Sequence, residues 1–453
     1  MADRDLGTNP VRELLRRFFI TFLLGVVIYR LGVLVPIPGV QFQGLHHLVT
    51  GDSDDPLQAI IKYANMFNGG AIANASIFGL GIMPYISASI IMQLLTHSFP
   101  ALKQLQKEGE GGRRKINQYT RYATLGLCIA QASMASLALY NFTGEGGTSL
   151  VNPGYSKVGF VVQSTLVITT GSMVLLWLSE QITKFGIGNG VSIIIMIGIL
   201  SAIPAAFAGF GDDLTAYLMM IMLCLVIIAA IVVVVQAVRK IPLEQQRRIQ
   251  GNRVYGGSST TLPLKLNQAN VIPVIFASPV IVVLGYIASA GFLHAEPLLA
   301  YGTSGYRYIF AGLIVAFTYF YISITFDLND LANHFKQAGF FVRGIKPGRK
   351  TVEYLQQHLM RITFVGAIFL ALIAIIPEVI DQALMSGKGG LALMGGTGLL
   401  IVVGVALDIM QKVASFFLAH QYQGLGAKEQ RSSGGTKAIG ALFAGQQKAA
   451  KRF

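Results

Sequence analysis

The chain has 453 residues, of which 53% are hydrophobic and 12% are charged, and its formal net charge is +14. This composition excludes an ordinary soluble domain and indicates a membrane protein with several spanning helices. The two cysteines, Cys128 and Cys224, both lie in apolar stretches, so we expect no disulfide framework.

Apolar stretches long enough to cross a bilayer, which takes about 20 helical residues, recur along the chain. They predict ten spans, near 18–36, 75–95, 120–141, 157–178, 187–208, 214–238, 267–291, 305–327, 358–377 and 396–419. The first run is too long for the core of a cleaved signal, so we expect no leader. Five spans followed by five indicate an all-α polytopic membrane protein with two inverted, pseudo-symmetric halves, 1–208 and 209–420, and a basic tail, 421–453.

Basic residues are distributed unevenly between the two sides of these spans. Most of the 35 lysines and arginines lie on the side of the N-terminus, where two long loops, 239–266 and 328–357, carry several of them. The opposite side carries Lys62, Lys157, Arg307 and Lys388. Because cytoplasmic loops are enriched in Lys and Arg, we predict that both termini and both long loops are cytoplasmic, where anionic lipids attract basic segments.

The second predicted span lies in an apolar stretch, 69–96, that contains three residues unfavourable to a helix: Gly79, Gly81 and Pro84. Membrane proteins tolerate such residues where neighbouring helices or a cavity satisfy the freed backbone groups. Helical spacing places Ile82 and Ile86 on one face, and Ser89 and Gln93 on another. We interpret this stretch as half of a gate.

A short apolar piece precedes the second span and ends at Asn68, Gly69 and Gly70. It is too short to cross a membrane, so either a re-entrant helix or a loop on the outer surface fits it.

The seventh predicted span is interrupted by Pro273 and Pro279, much as the second is by its glycines and Pro84. Paired interrupted helices in equivalent positions of two halves point to a transport site at their interface. Simple helix kinks are the alternative.

Motifs of catalysis are missing from the sequence, including a Walker-type phosphate loop, His-Glu-x-x-His and a nucleophile constellation. Charges within the predicted spans are chiefly Arg30 and Asp408, and Lys412, one turn after Asp408, predicts an ion pair. We therefore expect no enzyme, no cofactor, no metal and an external source of energy.

Several motifs, in chain order, resemble those of the SecY family, the pore subunits of the bacterial protein translocase. They are 36–39, 65–95, 108–122, 186–190, 262–267 and 344–348. The resemblance covers nearly the whole chain. It implies a channel in the bacterial inner membrane that moves unfolded polypeptides, recognises signal sequences and releases apolar segments into lipid.

The resemblance also implies an hourglass pore that is narrowed by a ring and sealed by a short re-entrant plug helix. The ring would be Ile82, Ile86, Val191, Ile195, Ile275 and Ile401. The plug would occupy 61–74, including Ile61, Met66, Phe67, Asn68, Gly69, Gly70 and Asn74. Val191 stands where the family commonly has isoleucine, so the ring would be slightly wider there. An apolar constriction blocks ions, because dehydrating an ion costs several kcal/mol or more, but it does not bind a passing polypeptide.

A lateral gate is implied between spans two and three on one side and spans seven and eight on the other. Its matching polar positions are Ser87, Gln93, Gln131 and Asn267. Hydrogen bonds between membrane helices are worth only about 0.6–2 kcal/mol, so a signal sequence could replace them.

The long cytoplasmic loops are, by resemblance, docking sites for the ribosome or for the motor ATPase SecA, and the small subunits SecE and SecG are further implied partners. The basic candidates are Arg253, Arg343, Lys346, Arg349 and Lys350, with a predicted hairpin around Gly256–Gly257. Relatives often have arginine in place of Asn252 and Lys346, and lysine lacks the bidentate fork of arginine. Ordinary topology signals beside anionic lipid are the alternative for these charges.

Two other functions remain open at this point. One is a secondary solute carrier with inverted repeats, and the other is a structural scaffold for an insertion complex. Long basic loops and scarce charge within the spans favour the channel.

Overall fold

The computed structural model describes residues 10–40, 65, 68–141, 150–152, 154–208, 214–245, 248–250, 253–255, 259–289, 303–384 and 397–420. Most of these residues are helical. The first helix, α1, comprises Pro10–Phe22, the π-helical turns Leu23–Ile28, and Tyr29–Val33. The helices that follow are α2 (Met83–Ser98), α3 (Pro100–Lys107), α4 (Glu110–Asn141), α5 (Lys157–Phe185), α6 (Gly190–Ala208), α7 (Leu214–Gln236), α8 (Ile272–Ser289), α9 (Ser304–Thr325), α10 (Leu328–Ala338), α11 (Arg349–Leu384) and α12 (Thr397–His420).

Each of the predicted spans overlaps one of these helices. Among the described residues, six helical regions are long and apolar enough to cross a membrane: α4, α5, Leu218–Gln236 in α7, Ser304–Ala338 (α9 with α10), Arg349–Pro377 in α11, and α12. An all-α polytopic membrane fold is therefore confirmed. The count of ten spans stays a prediction.

The two interrupted spans begin in the same way, and later than predicted. A residue with positive φ lies two positions before each helix, Gly81 (+59°) before α2 and Asn270 (+51°) before α8. Proline is then the second helical residue, as Pro84 and Pro273. A left-handed residue cannot continue a right-handed helix, whereas proline fits the first turn. Because α8 continues through Pro279, the predicted interruption at that proline is wrong.

Among α1 to α11, the extensive helix contacts stay within 10–208 or within 214–384. In the first range α4 packs on α2 and α5, and in the second α9 packs on α8 and α11. One face of α4 buries a small or polar residue every fourth position: Thr120, Thr124, Cys128, Ala132 and Ser136. Small residues let membrane helices approach closely.

A small antiparallel sheet joins the two long loops. Strand β1 (Val238–Gln245) pairs with β4 (Ser259–Lys265) on one side and with β5 (Phe340–Val342) on the other. Its apolar face packs against Leu355 and Ile362 of α11.

Between β1 and β4, β2 (Arg248–Gln250) pairs with β3 (Arg253–Tyr255). In this pair Gln250 is opposite Arg253. Gly256–Gly257, where we predicted the hairpin, lies outside the described residues.

Candidate functional site

The six residues predicted for the pore ring lie in one hydrophobic cluster. They are Ile82, Ile86, Val191, Ile195, Ile275 and Ile401. The start of α2 supplies two of them, α6 supplies two, and α8 and α12 supply one each. Ile82 and Ile401 are buried, and the other four are partly buried. Both ranges of the chain therefore contribute to the same apolar constriction.

A narrow cavity lies at this constriction. Among the described residues, its lining is formed by Asn68, Ile82, Met83, Ile86, Ile195 and Ile275. Asn68 is the one polar residue among these six. An ion that entered this space would lose its water without gaining charged partners, which costs several kcal/mol or more.

Asn68 is held in place by the backbone that leads into α2. Its side chain is buried, and Nδ2 donates a hydrogen bond of 2.7 Å to the carbonyl oxygen of Gly79. A side chain at Gly81 would collide with the Asn68 carboxamide, and the positive φ of Gly81 also favours glycine. Gly81 thus lets the backbone turn into α2 and makes room for Asn68.

The turn segment, which we define as residues 68–82, is fastened to the first helix and its extension. The Ile37 N–H donates to the Ala75 carbonyl oxygen (2.7 Å), and the Ile77 N–H donates to the Val35 carbonyl oxygen (3.0 Å). Arg30 Nη1 donates to the Gly69 carbonyl oxygen (3.2 Å).

Aromatic stacking adds to this attachment, because the rings of Tyr29 and Phe78 stack with centroids 6.0 Å apart. A Cβ at Gly69 would approach Ser201 Oγ of α6 to 2.7 Å. The turn segment therefore contacts both α1 and α6, and its residues Asn68 and Ile82 line the cavity.

Part of the predicted plug coincides with this segment. Asn68, Gly69, Gly70 and Asn74 lie in turns, and the Asn65 side chain accepts a hydrogen bond of 2.9 Å from the Ala73 N–H. Ile61, Met66 and Phe67 lie outside the described residues. The helical form of the plug stays a prediction.

The polar residues predicted for the lateral gate lie on the expected elements but do not bond to one another. Ser87 and Gln93 are on α2, Gln131 is on α4, and Asn267 precedes α8. Asn267 is buried, and its Nδ2 donates to the Asn270 carbonyl oxygen (3.1 Å). Within the described part of the chain, its Oδ1 has no hydrogen-bond partner.

Two ion pairs that the sequence analysis missed join the two ranges near the same helices. Lys103 Nζ lies 2.9 Å from Asp327 Oδ2, and Lys107 Nζ lies 3.4 Å from Asp330 Oδ2. The sequence did contain a signal for these pairs. Two lysines are four residues apart on one short helix, and two aspartates are three residues apart at the start of another, so each set lies on one helix face.

Four of the five basic docking candidates are exposed, in the segment that follows β5. Arg343, Lys346, Arg349 and Lys350 surround a turn in which Gly344 (φ +80°) and Gly348 (φ +106°) are left-handed. Arg343 also pairs with Glu244 (3.7 Å), and Arg349 pairs with Glu353 (3.3 Å). The backbone of Arg253 lies in β3.

The predicted ion pair on the last helix is confirmed, because Lys412 Nζ lies 3.0 Å from Asp408 Oδ2. Both side chains are about half exposed. An i, i+4 ion pair of this kind stabilises its own helix locally.

Comparisons with known proteins agree on one family. The family model described as SecY matches residues 76–410. The protein translocase subunit SecY of Escherichia coli strain K12 is 40% identical over 437 residues, which cover 93% of this chain and 96% of that protein. The same subunit of Thermotoga maritima is 38% identical over 422 residues, which cover 91% and 95%.

Solved structures show the same fold. A protein-conducting channel superposes with a TM-score of 0.61 at 19% identity, over 90% of this chain and 93% of the other. A SecY whose plug domain stabilises the closed state and maintains a membrane seal superposes with a TM-score of 0.57 at 17% identity, with the same coverage. Sec61 from a canine ribosome-channel complex gives the same values as that SecY.

Proposed function

Because the chain belongs to the SecY family of protein translocase subunits, we propose that it is the pore subunit of a protein-conducting channel and that the constriction is its seal. Unfolded polypeptides pass through the constriction, and apolar segments leave sideways into lipid. The observation that carries this proposal is the gathering of six branched side chains, from both ranges of the chain, beside one narrow cavity.

The seal works because its side chains form no directional bonds. Ions are excluded by the cost of dehydration, whereas a polypeptide can push apart contacts that are individually worth only about 0.1–0.2 kcal/mol per atom pair. Asn68 and the turn segment cover the cavity while the pore is closed. Residues 61–74, of which 68–74 belong to this segment, serve as the plug.

Opening separates 1–208 from 209–420, which act as two halves. The extensive helix contacts of α1 to α11, which stay within each range, support this division. When α2 and α4 part from α8 and α9, a passing segment meets lipid. A leucine, isoleucine, phenylalanine or valine at the centre of that segment favours insertion by about 0.3–0.6 kcal/mol.

Energy and targeting come from partners on the cytoplasmic face. The exposed basic side chains around Gly344–Gly348 support docking of SecA or the ribosome, since loops on rigid helices commonly carry binding. SecE and SecG complete the assembly in the bacterial inner membrane, and anionic lipids bind the basic loops. The excess of Lys and Arg on this side supports cytoplasmic termini.

Reconstitution tests the channel against the solute carrier. The chain would be inserted into vesicles with SecE and SecG, and the uptake of an unfolded precursor driven by SecA would be compared with the uptake of small solutes. We expect protected precursor only when SecA and ATP are present. Solute uptake that saturates without SecA, with no protected precursor, would favour the carrier.

A further inference from the structure

The two missed ion pairs lie where the cytoplasmic ends of the proposed gate helices meet. Lys103 and Lys107 are on α3, which connects α2 to α4. Asp327 and Asp330 are at the start of α10, which directly follows α9. Lys103 and Asp327 are 224 residues apart in sequence, so their contact links the two halves and not two turns of one loop.

Asp327 binds with both of its carboxylate oxygens. Oδ1 caps α10 by accepting hydrogen bonds from the N–H groups of Asn329 and Asp330, each 3.2 Å long. Oδ2 accepts a hydrogen bond of 2.9 Å from Lys103 Nζ. The cap fixes the orientation of the carboxylate before it meets the lysine, so less conformational freedom is lost when the ion pair forms. This hydrogen bond and the charge of Asp327 also raise the pKa of Lys103.

We propose that Lys103, Lys107, Asp327 and Asp330 form an electrostatic clasp that holds the cytoplasmic end of the lateral gate closed and must break when the gate opens. This inference rests on the proposed function, because it assumes that α2 and α4 part from α8 and α9. The four side chains are between 30% and 61% exposed. An ion pair with that exposure changes an equilibrium constant by about fivefold at most, and salt weakens it. The clasp therefore biases the gate without locking it, and an arriving signal sequence can overcome it.

The test measures opening directly. Cys128 and Cys224 would be replaced by alanine, and spin labels would be placed at Gln106 on α3 and Asn333 on α10, which are both exposed. Distance distributions between the labels would be recorded in vesicles with and without a signal peptide. The test variant is D327N/D330N, which removes both charges but keeps at position 327 an asparagine that can cap α10.

We expect the long-distance population of D327N/D330N to be about two- to tenfold that of the parent at low salt, with the difference lost near 1 M salt. K107E should widen the distribution, and K107E/D330K should return it toward the parent. The matched control is E110Q, which breaks the exposed pair between Glu110 and Arg114 within α4 and should change nothing.

The possible failures are distinguishable. If the parent opens with signal peptide but D327N/D330N has the same distribution, or if E110Q has the same effect as D327N/D330N, the clasp is wrong and the gate stands. If the labels do not separate in any variant with signal peptide, both the gate and its clasp are wrong.

Discussion

At the constriction, the two proposed halves meet in a cluster of branched apolar side chains that includes Ile82 and Ile401, which are 5% and 3% exposed. At the end of the proposed gate that we predict to be cytoplasmic, they meet through lysine and aspartate side chains that are at least 30% exposed. Apolar burial has no directional requirement and resists salt, whereas exposed ion pairs need a defined geometry and are screened. Under the proposed function, this difference separates two tasks: a tight seal against ions, and a weak restraint on helix separation.

Cross-linking the proposed lateral gate would replace its weak restraint with a covalent bond. This change should have the largest effect on activity. Single cysteines in 85–93 of α2 and in 276–283 of α8, with the native cysteines replaced, should form a disulfide at some pairings. The oxidised protein should lose insertion of signal anchors almost completely, and reduction should restore it, because an apolar segment can no longer reach lipid. Quantitative cross-linking with full insertion would remove the lateral gate from the account.

Opening the seal should have the next largest effect. Replacing Ile82, Ile86 and Ile275 with glycine removes branched side chains that line the cavity. Single-channel recordings in planar bilayers should show resting ion conductance about tenfold higher or more, since each 1.4 kcal/mol taken from a dehydration barrier is about tenfold in rate. Glycine at three apolar positions outside the cavity, Leu166, Val226 and Phe364, is the matched control. Equal conductance in the two triple variants would contradict the assignment of the ring.

A single added methyl group, at Gly81, should destabilise the closed position of the turn segment. Gly81→Ala places a side chain against Asn68 in a left-handed conformation that costs roughly 1–3 kcal/mol. If the strain is released when the turn segment moves, the open fraction should rise by about fivefold or more, measured as ion leak from vesicles.

Gly126→Ala is the control for Gly81→Ala, because a Cβ at that position on α4 meets open space. A leak that is unchanged by Gly81→Ala, in protein that is folded and abundant, would separate the turn segment from the seal.

The cytoplasmic docking charges should give the smallest effect. Reversing Arg253 and Lys346 to glutamate should weaken ribosome or SecA binding several-fold, and each lost phosphate contact should lower the slope of log K against log salt by about one. Lys157→Glu, on the opposite side of the membrane by our prediction, is the control. Binding as tight as the parent's at every salt concentration would leave these loops as topology signals only.

Features that depend on local sequence pattern could be predicted, whereas contacts between residues far apart in the sequence could not. Hydrophobic runs located the spans, and resemblance named six ring residues that the fold gathers into one cluster. The late start of α8 was missed because a left-handed Asn270 is much rarer than a left-handed glycine.

No local sequence pattern identifies which distant residues come into contact. Strand β5 pairs with β1 although about a hundred residues separate them, and the pair between Lys103 and Asp327 spans more than twice that distance. Period and composition report which face of an element is apolar, but they do not report which partner that face will meet.

The path of the polypeptide is the central claim, and site-specific photo-cross-linking measures it most directly. A photoreactive amino acid would be placed at Ile86, Ile275 or Ile401, and at the exposed apolar positions Val162 and Leu218 as controls. A precursor would then be arrested halfway through reconstituted channels by a folded domain at its end. We predict cross-links to the precursor from the three ring positions and none from the two controls. Efficient arrest with cross-links at the controls and none at the ring would show that the chain does not pass through the constriction.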